Sequence, residues 1–134
     1  YEIPKRDWSS DVCSSDLFDV IDRAAMPAGY RWRLVPEEYA AGGVFARLNE
    51  WLDANIARFG FYRPYDEYRG GVQPEPWHLS HAATAAIAQR ALTPAIVADA
   101  VRASDMLGKE AALARLDEIM RTYVANVATA TATA

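Results

Sequence analysis

Three residues have side chains whose types and spacing can do chemistry together: Asp19, Glu75 and His78. Asp19 sits in Leu17-Phe18-Asp19-Val20-Ile21-Asp22, a short run of β-formers in which it shares a face with Leu17 and Ile21. A carboxylate between apolar neighbours is expensive to bury unless it is paired or bound to a cation. An arginine or a set of backbone donors would satisfy it as well as a metal would. Glu75 and His78 belong to Glu75-Pro76-Trp77-His78. A histidine can offer a neutral ring nitrogen to zinc. A nearby glutamate can take a proton from an activated water and return it to a leaving amine. The E-x-x-H spacing by itself is weak. Taken alone, His78 reads more readily as a core histidine donating to a carbonyl, and Trp77 as core packing. Residues three apart on a regular strand face opposite sides, so Pro76 must bend the chain if Glu75 and His78 are to converge.

The elements that would position these groups are legible in outline. Residues 17–22 read as a strand, and Met26-Pro27-Ala28-Gly29 as a loop. Tyr30 to Val35 alternates apolar residues with arginine, which suits a half-exposed strand or an extended segment. Pro36-Glu37-Glu38-Tyr39 can open a helical turn. The strongest periodicity predicts a helix over 43–59: Phe45, Leu48, Leu52, Ile56 and Phe59 form a stripe that Trp51 widens, and Gly60 is a natural C-cap. Phe61 to Tyr65 reads as the end of a strand, 66–74 as a loop, and 75–81 as extended. From Ala82 the chain is alanine-rich and helical. Thr93-Pro94 starts one helix, and Ser104 or Asp105 can cap a last one with a stripe of Leu113, Leu116, Met120, Tyr123 and Val127.

The 134 residues suffice for one domain with a modest core, and the balance of 51% hydrophobic and 24% charged residues is ordinary for a globular chain. A net charge of -4 argues against a nucleic-acid partner. No apolar run is long enough to span a bilayer. With one cysteine, Cys13, and two histidines, His78 and His81, a metal site would have to use carboxylates. Residues 1–17 are rich in Ser and Asp and lack periodicity. Lys5 to Leu17 resembles a translated sequencing adapter, so 1–17 is set aside as artefactual or disordered.

Several motifs in order resemble the M15 family of zinc-dependent D-alanyl-D-alanine carboxypeptidases. They are FDVIDRAAMPAGYRWRLVPEEYAAGGVFARLNEWL, GFYRPYDEYRGGV and GGVQPEPWHLSH, spanning Phe18 to His81. The resemblance implies a small α+β domain with an antiparallel sheet packed by helices, here truncated at its N-terminus. Beyond the set-aside segment the chain divides into an incomplete catalytic domain over 18–91, a helical extension over 92–127 read from its caps and apolar stripe, and a frayed tail over 128–134 read from its low-complexity ATATATA end. The resemblance further implies one zinc ion with His78 and Asp19 as ligands, Glu75 as general base and acid, and Trp77 as a wall of the site. The substrate would be a peptidoglycan stem peptide or a D-Ala-D-Ala dipeptide, and the location the periplasm or cell envelope.

One departure matters. In the family, that aspartate closes S-x-H-x-x-G-x-x-x-D, whose histidine is a further ligand. Here Ser10 matches the serine, but Val12 stands at the histidine position and Ser15 at the glycine. With two of three ligands, the literal chain is expected to be inactive or nearly so, although its parent is an enzyme. His81 and Cys13 are weak substitutes. Arg63, Arg69 and Tyr68 lie near the motif, where they could line a substrate cleft, but they read more readily as solvated loop residues. Two rival readings are a non-catalytic domain that binds peptidoglycan peptides, and a structural helical module built around 82–127.

Overall fold

The computed structural model describes residues 17–129. Its centre is a three-stranded antiparallel sheet formed by β1 (Leu17–Asp19), β2 (Phe61–Tyr62) and β3 (His78–His81), in the order β1-β3-β2. The register pairs Leu17 with Ser80, Phe18 with Leu79 and Asp19 with His78. Leu17, set aside above with the N-terminal segment, is therefore part of the sheet. On the other side Phe61 pairs with His81 and Tyr62 with Ser80. The strand expected over 17–22 is shorter, because Asp22 accepts from the backbone N–H groups of Ala24 and Ala25 and opens a 3-10 turn, Arg23–Ala25.

Helix α1 (Pro36–Tyr39) is the short turn that its leading proline suggests. Tyr30 to Val35 is not a strand. It wraps as irregular backbone around the buried Glu38 carboxylate, which accepts from the Tyr30 hydroxyl at 2.7 Å, from Arg33 N–H at 3.1 Å and from Val35 N–H at 3.4 Å. Leu34 takes φ 53°, a left-handed conformation that L residues rarely adopt. The gain is a concave set of N–H groups that an anion can fill. Burial alone would raise the Glu38 pKa. The hydroxyl of Tyr30 and the backbone of Arg33, Val35 and Leu34 outweigh it, and the carboxyl is held below its ordinary range.

Helix α2 (Ala46–Asn55) and the 3-10 turn Ile56–Phe59 fill the span predicted as one helix except for 43–45, which form a turn leading into it, and Gly60 ends it at φ 78°. The stripe is narrower than its periodicity suggests. Phe45 and Leu52 are buried, whereas Trp51 and Phe59 are exposed and stack on each other at 6.2 Å. The core is small and aromatic: Tyr39, Phe45 and Trp77, flanked by Ile21, Met26, Leu34, Val44 and Leu48. Beyond the sheet, α3 (Ala82–Ala91) follows β3 directly, and α4 (Pro94–Ala103) starts at Thr93, whose hydroxyl accepts from Ile96 N–H. The single last helix expected is instead α5 (Lys109–Ala114), α6 (Leu116–Ile119) and a π-turn, Met120–Val124. Gly108, at φ 78°, precedes α5, while the Ser104 hydroxyl accepts from Met106 N–H in the turn before it.

Candidate active site

The sheet register sets Asp19 opposite His78. Their side chains meet across the two strands, with Asp19 Oδ1 2.8 Å from His78 Nδ1. Glu75 reaches toward the same ring nitrogen, with Oε2 at 3.7 Å. The bend expected at Pro76 is present: His78 N–H donates to the Glu75 carbonyl at 3.1 Å, a turn that brings residues three apart to one side. All three sequence-predicted site residues are thus within reach of one atom. Asp19 lies at the mouth, its side chain 43% exposed, and is not the buried carboxylate that its apolar neighbours suggested. The strand as a whole is little covered, since Phe18, which packs edge-on against Phe61 at 5.2 Å, is itself exposed.

The walls are built by the core. Trp77 is buried against Tyr39, 5.5 Å between ring centroids. The Tyr39 hydroxyl donates to the Val20 carbonyl at 2.6 Å, and Val20 N–H donates to the Trp77 carbonyl at 3.0 Å. These bonds tie the residue after Asp19 to the residue before His78. Tyr65 covers the histidine ring at 5.2 Å, and its carbonyl accepts from Glu75 N–H at 2.9 Å. Burial raises the Glu75 carboxyl above its ordinary range. The His78 ring opposes that shift, and the Asp19 carboxylate adds to it.

Arg63 is the residue that sequence reasoning undervalued. Its side chain is only 14% exposed and makes three bonds: Nε to the Pro76 carbonyl at 2.9 Å, Nη2 to Asn49 Oδ1 at 2.8 Å, and Nη1 to Asp53. It fixes the bend between Glu75 and His78 to α2. The signal was present, since Asn49 and Asp53 are four apart on the predicted helix and share a face. Arg69 pairs with Asp66 and Glu67, and Tyr68 is exposed, as loop residues would be. His81 is turned to Thr84, 2.9 Å from its hydroxyl, and to the Phe61 ring. Three positions along β3 from His78, it is directed elsewhere and adds no donor to the site. Val12 and Cys13 lie outside the described residues.

A catalytic zinc takes three protein ligands and a water. Asp19 and His78 offer two suitable donors in mutual reach. Among the described residues, no group of three or more His, Cys, Asp and Glu is disposed to hold a metal ion. His78 Nε2 is buried and has no hydrogen-bond partner among the described residues. Either tautomer leaves it unsatisfied, as a lone pair without a donor or an N–H without an acceptor. Among the described residues the donor set therefore fits zinc in kind and offers two protein donors.

A family model described as D-alanyl-D-alanine carboxypeptidase, VanY, matches residues 18–84. A protein of Haemophilus influenzae, described as uncharacterized, is 30% identical over 119 residues, which cover 87% of this chain and 86% of its own length. A match of that share necessarily continues past the family model into the helices after Thr84. No solved structure matches.

Proposed function

Because the chain belongs to the D-alanyl-D-alanine carboxypeptidase family, we propose that it derives from a zinc-dependent hydrolase that cleaves D-alanyl-D-alanine-type bonds in peptidoglycan stem peptides. The observation that carries this reading is the convergence of Asp19 and Glu75 on His78 Nδ1. In it, Asp19 and His78 hold the ion, which when bound would supply Lewis-acid polarisation of the scissile carbonyl. Glu75 carries the proton. It accepts one from the attacking water as the oxygen bonds to the carbonyl carbon, then delivers it to the amine as the C–N bond breaks. A carboxyl with raised proton affinity suits both halves of that transfer. Trp77 and Tyr65 orient the ligands and keep bulk water from one side of the site. A substrate of this kind sets the work of the parent enzyme in the cell envelope.

Among the described residues no third donor reaches the site, and Val12 stands where the family motif has its histidine; we infer that the chain hydrolyses such bonds poorly or not at all. The test is the zinc content of the purified chain beside Asp19→Ala and His78→Ala. Near-zero zinc in all three is expected. Stoichiometric zinc that disappears in both variants would mean that a third ligand completes the site, and the inference of inactivity would fall. The two-donor set also favours a second reading, a domain that binds peptidoglycan peptides without cutting them. Restoring the motif by Val12→His with Ser15→Gly separates the two. Zinc uptake with hydrolysis of a D-Ala-D-Ala peptide supports the peptidase, and peptide binding without hydrolysis supports the binder.

A further inference from the structure

Residues 120–128 pack on the loop that carries Tyr65. Ala128 N–H donates to the Pro64 carbonyl at 2.8 Å, and the Asn126 side-chain amide donates to the Arg69 carbonyl. Gly71 approaches the π-turn so closely that a Cβ there would collide with the Thr122 carbonyl oxygen. The loop from Pro64 to Gly71 is therefore held at its start, middle and end by the C-terminal segment. Pro64 is buried, and the next residue, Tyr65, holds Glu75 N–H with its carbonyl and covers the His78 ring. Each contact is short-range, and together they link residue 126 to the candidate catalytic pair.

We propose that Asn126 and the close Gly71–Thr122 approach are positioning features of the active site. They brace the Pro64–Gly71 loop so that Tyr65 keeps Glu75 and His78 in register. The segment lies outside residues 18–84, so a site built by the family domain alone would lack this brace. The π-turn fits the role. Its wider winding is a common device for redirecting backbone groups near functional sites, and here it turns the Thr122 carbonyl toward the loop. The proposal rests on the roles proposed for Glu75 and His78. Its readouts report loop position, so they stand or fall separately from zinc binding.

The experiment compares the full chain with Asn126→Ala, Gly71→Ala and the exposed control Arg121→Ala. Amide hydrogen exchange is read at Glu75 and along β3, and NMR shifts are read at the His78 ring protons, which lie under the Tyr65 ring. In Asn126→Ala and Gly71→Ala, Glu75 exchange should speed up about fivefold or more, the effect of loosening one hydrogen bond. The His78 ring shifts should move, and protection at Leu79 and Ser80 should hold. Arg121→Ala should change neither readout. Unchanged Glu75 exchange and His78 shifts in both variants would overturn the proposal. So would a uniform loss of protection through β3 and α2, which would mark the segment as general support.

Discussion

Glu75 and Glu38 are both carboxylates in restricted surroundings, yet their environments drive them apart. Glu75 has few donors, so burial dominates and its proton is held more tightly. In the chain restored by Val12→His and Ser15→Gly, Glu75→Gln should lower kcat for D-Ala-D-Ala hydrolysis about 100-fold or more while zinc content is kept, because proton transfer is lost without a ligand. Glu38 is filled with donors, and its proton is held less tightly in the folded state than its ordinary value of 4.5. A depressed folded-state value means that ionisation favours folding. That contribution is present above the ordinary value and lost as pH falls below it toward the folded-state one. Glu38→Gln should therefore unfold with a weaker acid dependence in that window and lose roughly 1–3 kcal/mol at neutral pH, measured by urea titration at several pH values.

At the scale of elements, two features join the sheet to its helices. Gly60 ends the 3-10 turn after α2 with φ 78° and leads straight into β2, and a Cβ there would stand 3.3 Å from His81 Nε2. Gly60→Ala should cost about 1 kcal/mol, seen as a lower urea midpoint with an unchanged slope. Arg63 holds the Pro76 carbonyl to α2 with a planar fork of donors, which a lysine cannot reproduce. Arg63→Lys should lose about 1–3 kcal/mol and speed amide exchange at His78. Periodicity and punctuation made much of this scale legible. The α2 span, the Gly60 cap, the Thr93 cap and the bend at Pro76 all follow from local rules. What escaped them was decided by distant partners. Tyr30 to Val35 alternates like a strand but folds around Glu38, a partner that alternation cannot encode. Trp51 and Phe59 fit the apolar stripe, but the core is too small to cover them, and they stack outside it. Arg63 looked solvated because its acceptors lie 10 and 14 residues before it and 13 after it. Among the site residues, E-x-x-H alone was ambiguous, and the facing of Asp19 and His78 depended on a strand register that only the fold supplies.

The whole molecule is an α+β domain whose apolar centre rests on three aromatic rings and their neighbours. Such a core leaves little reserve, so ligands that bind only the folded state should have large effects on its melting. Zinc at about a hundred times its dissociation constant adds about 2.7 kcal/mol. The Val12→His, Ser15→Gly chain should therefore melt on the order of 10 °C higher with zinc, while the unaltered chain should melt at the same temperature with or without it. A differential scanning measurement of both chains, with and without a chelator, checks this. An equal zinc response in the two would show that Val12 does not stand at a ligand position. β1 also has β3 on one side only among the described residues, and an open strand edge is a template for pairing with further chain.

The loop around Glu38 carries one more consequence. Its N–H groups and the Tyr30 hydroxyl form a receptor whose guest is supplied by the same polypeptide. Cutting the guest away with Glu38→Ala leaves the receptor empty and its donors unsatisfied. A small free carboxylate such as formate or acetate then has a vacancy of matching charge. The folding of that variant should become dependent on the buffer anion, with acetate restoring stability that chloride of equal ionic strength does not.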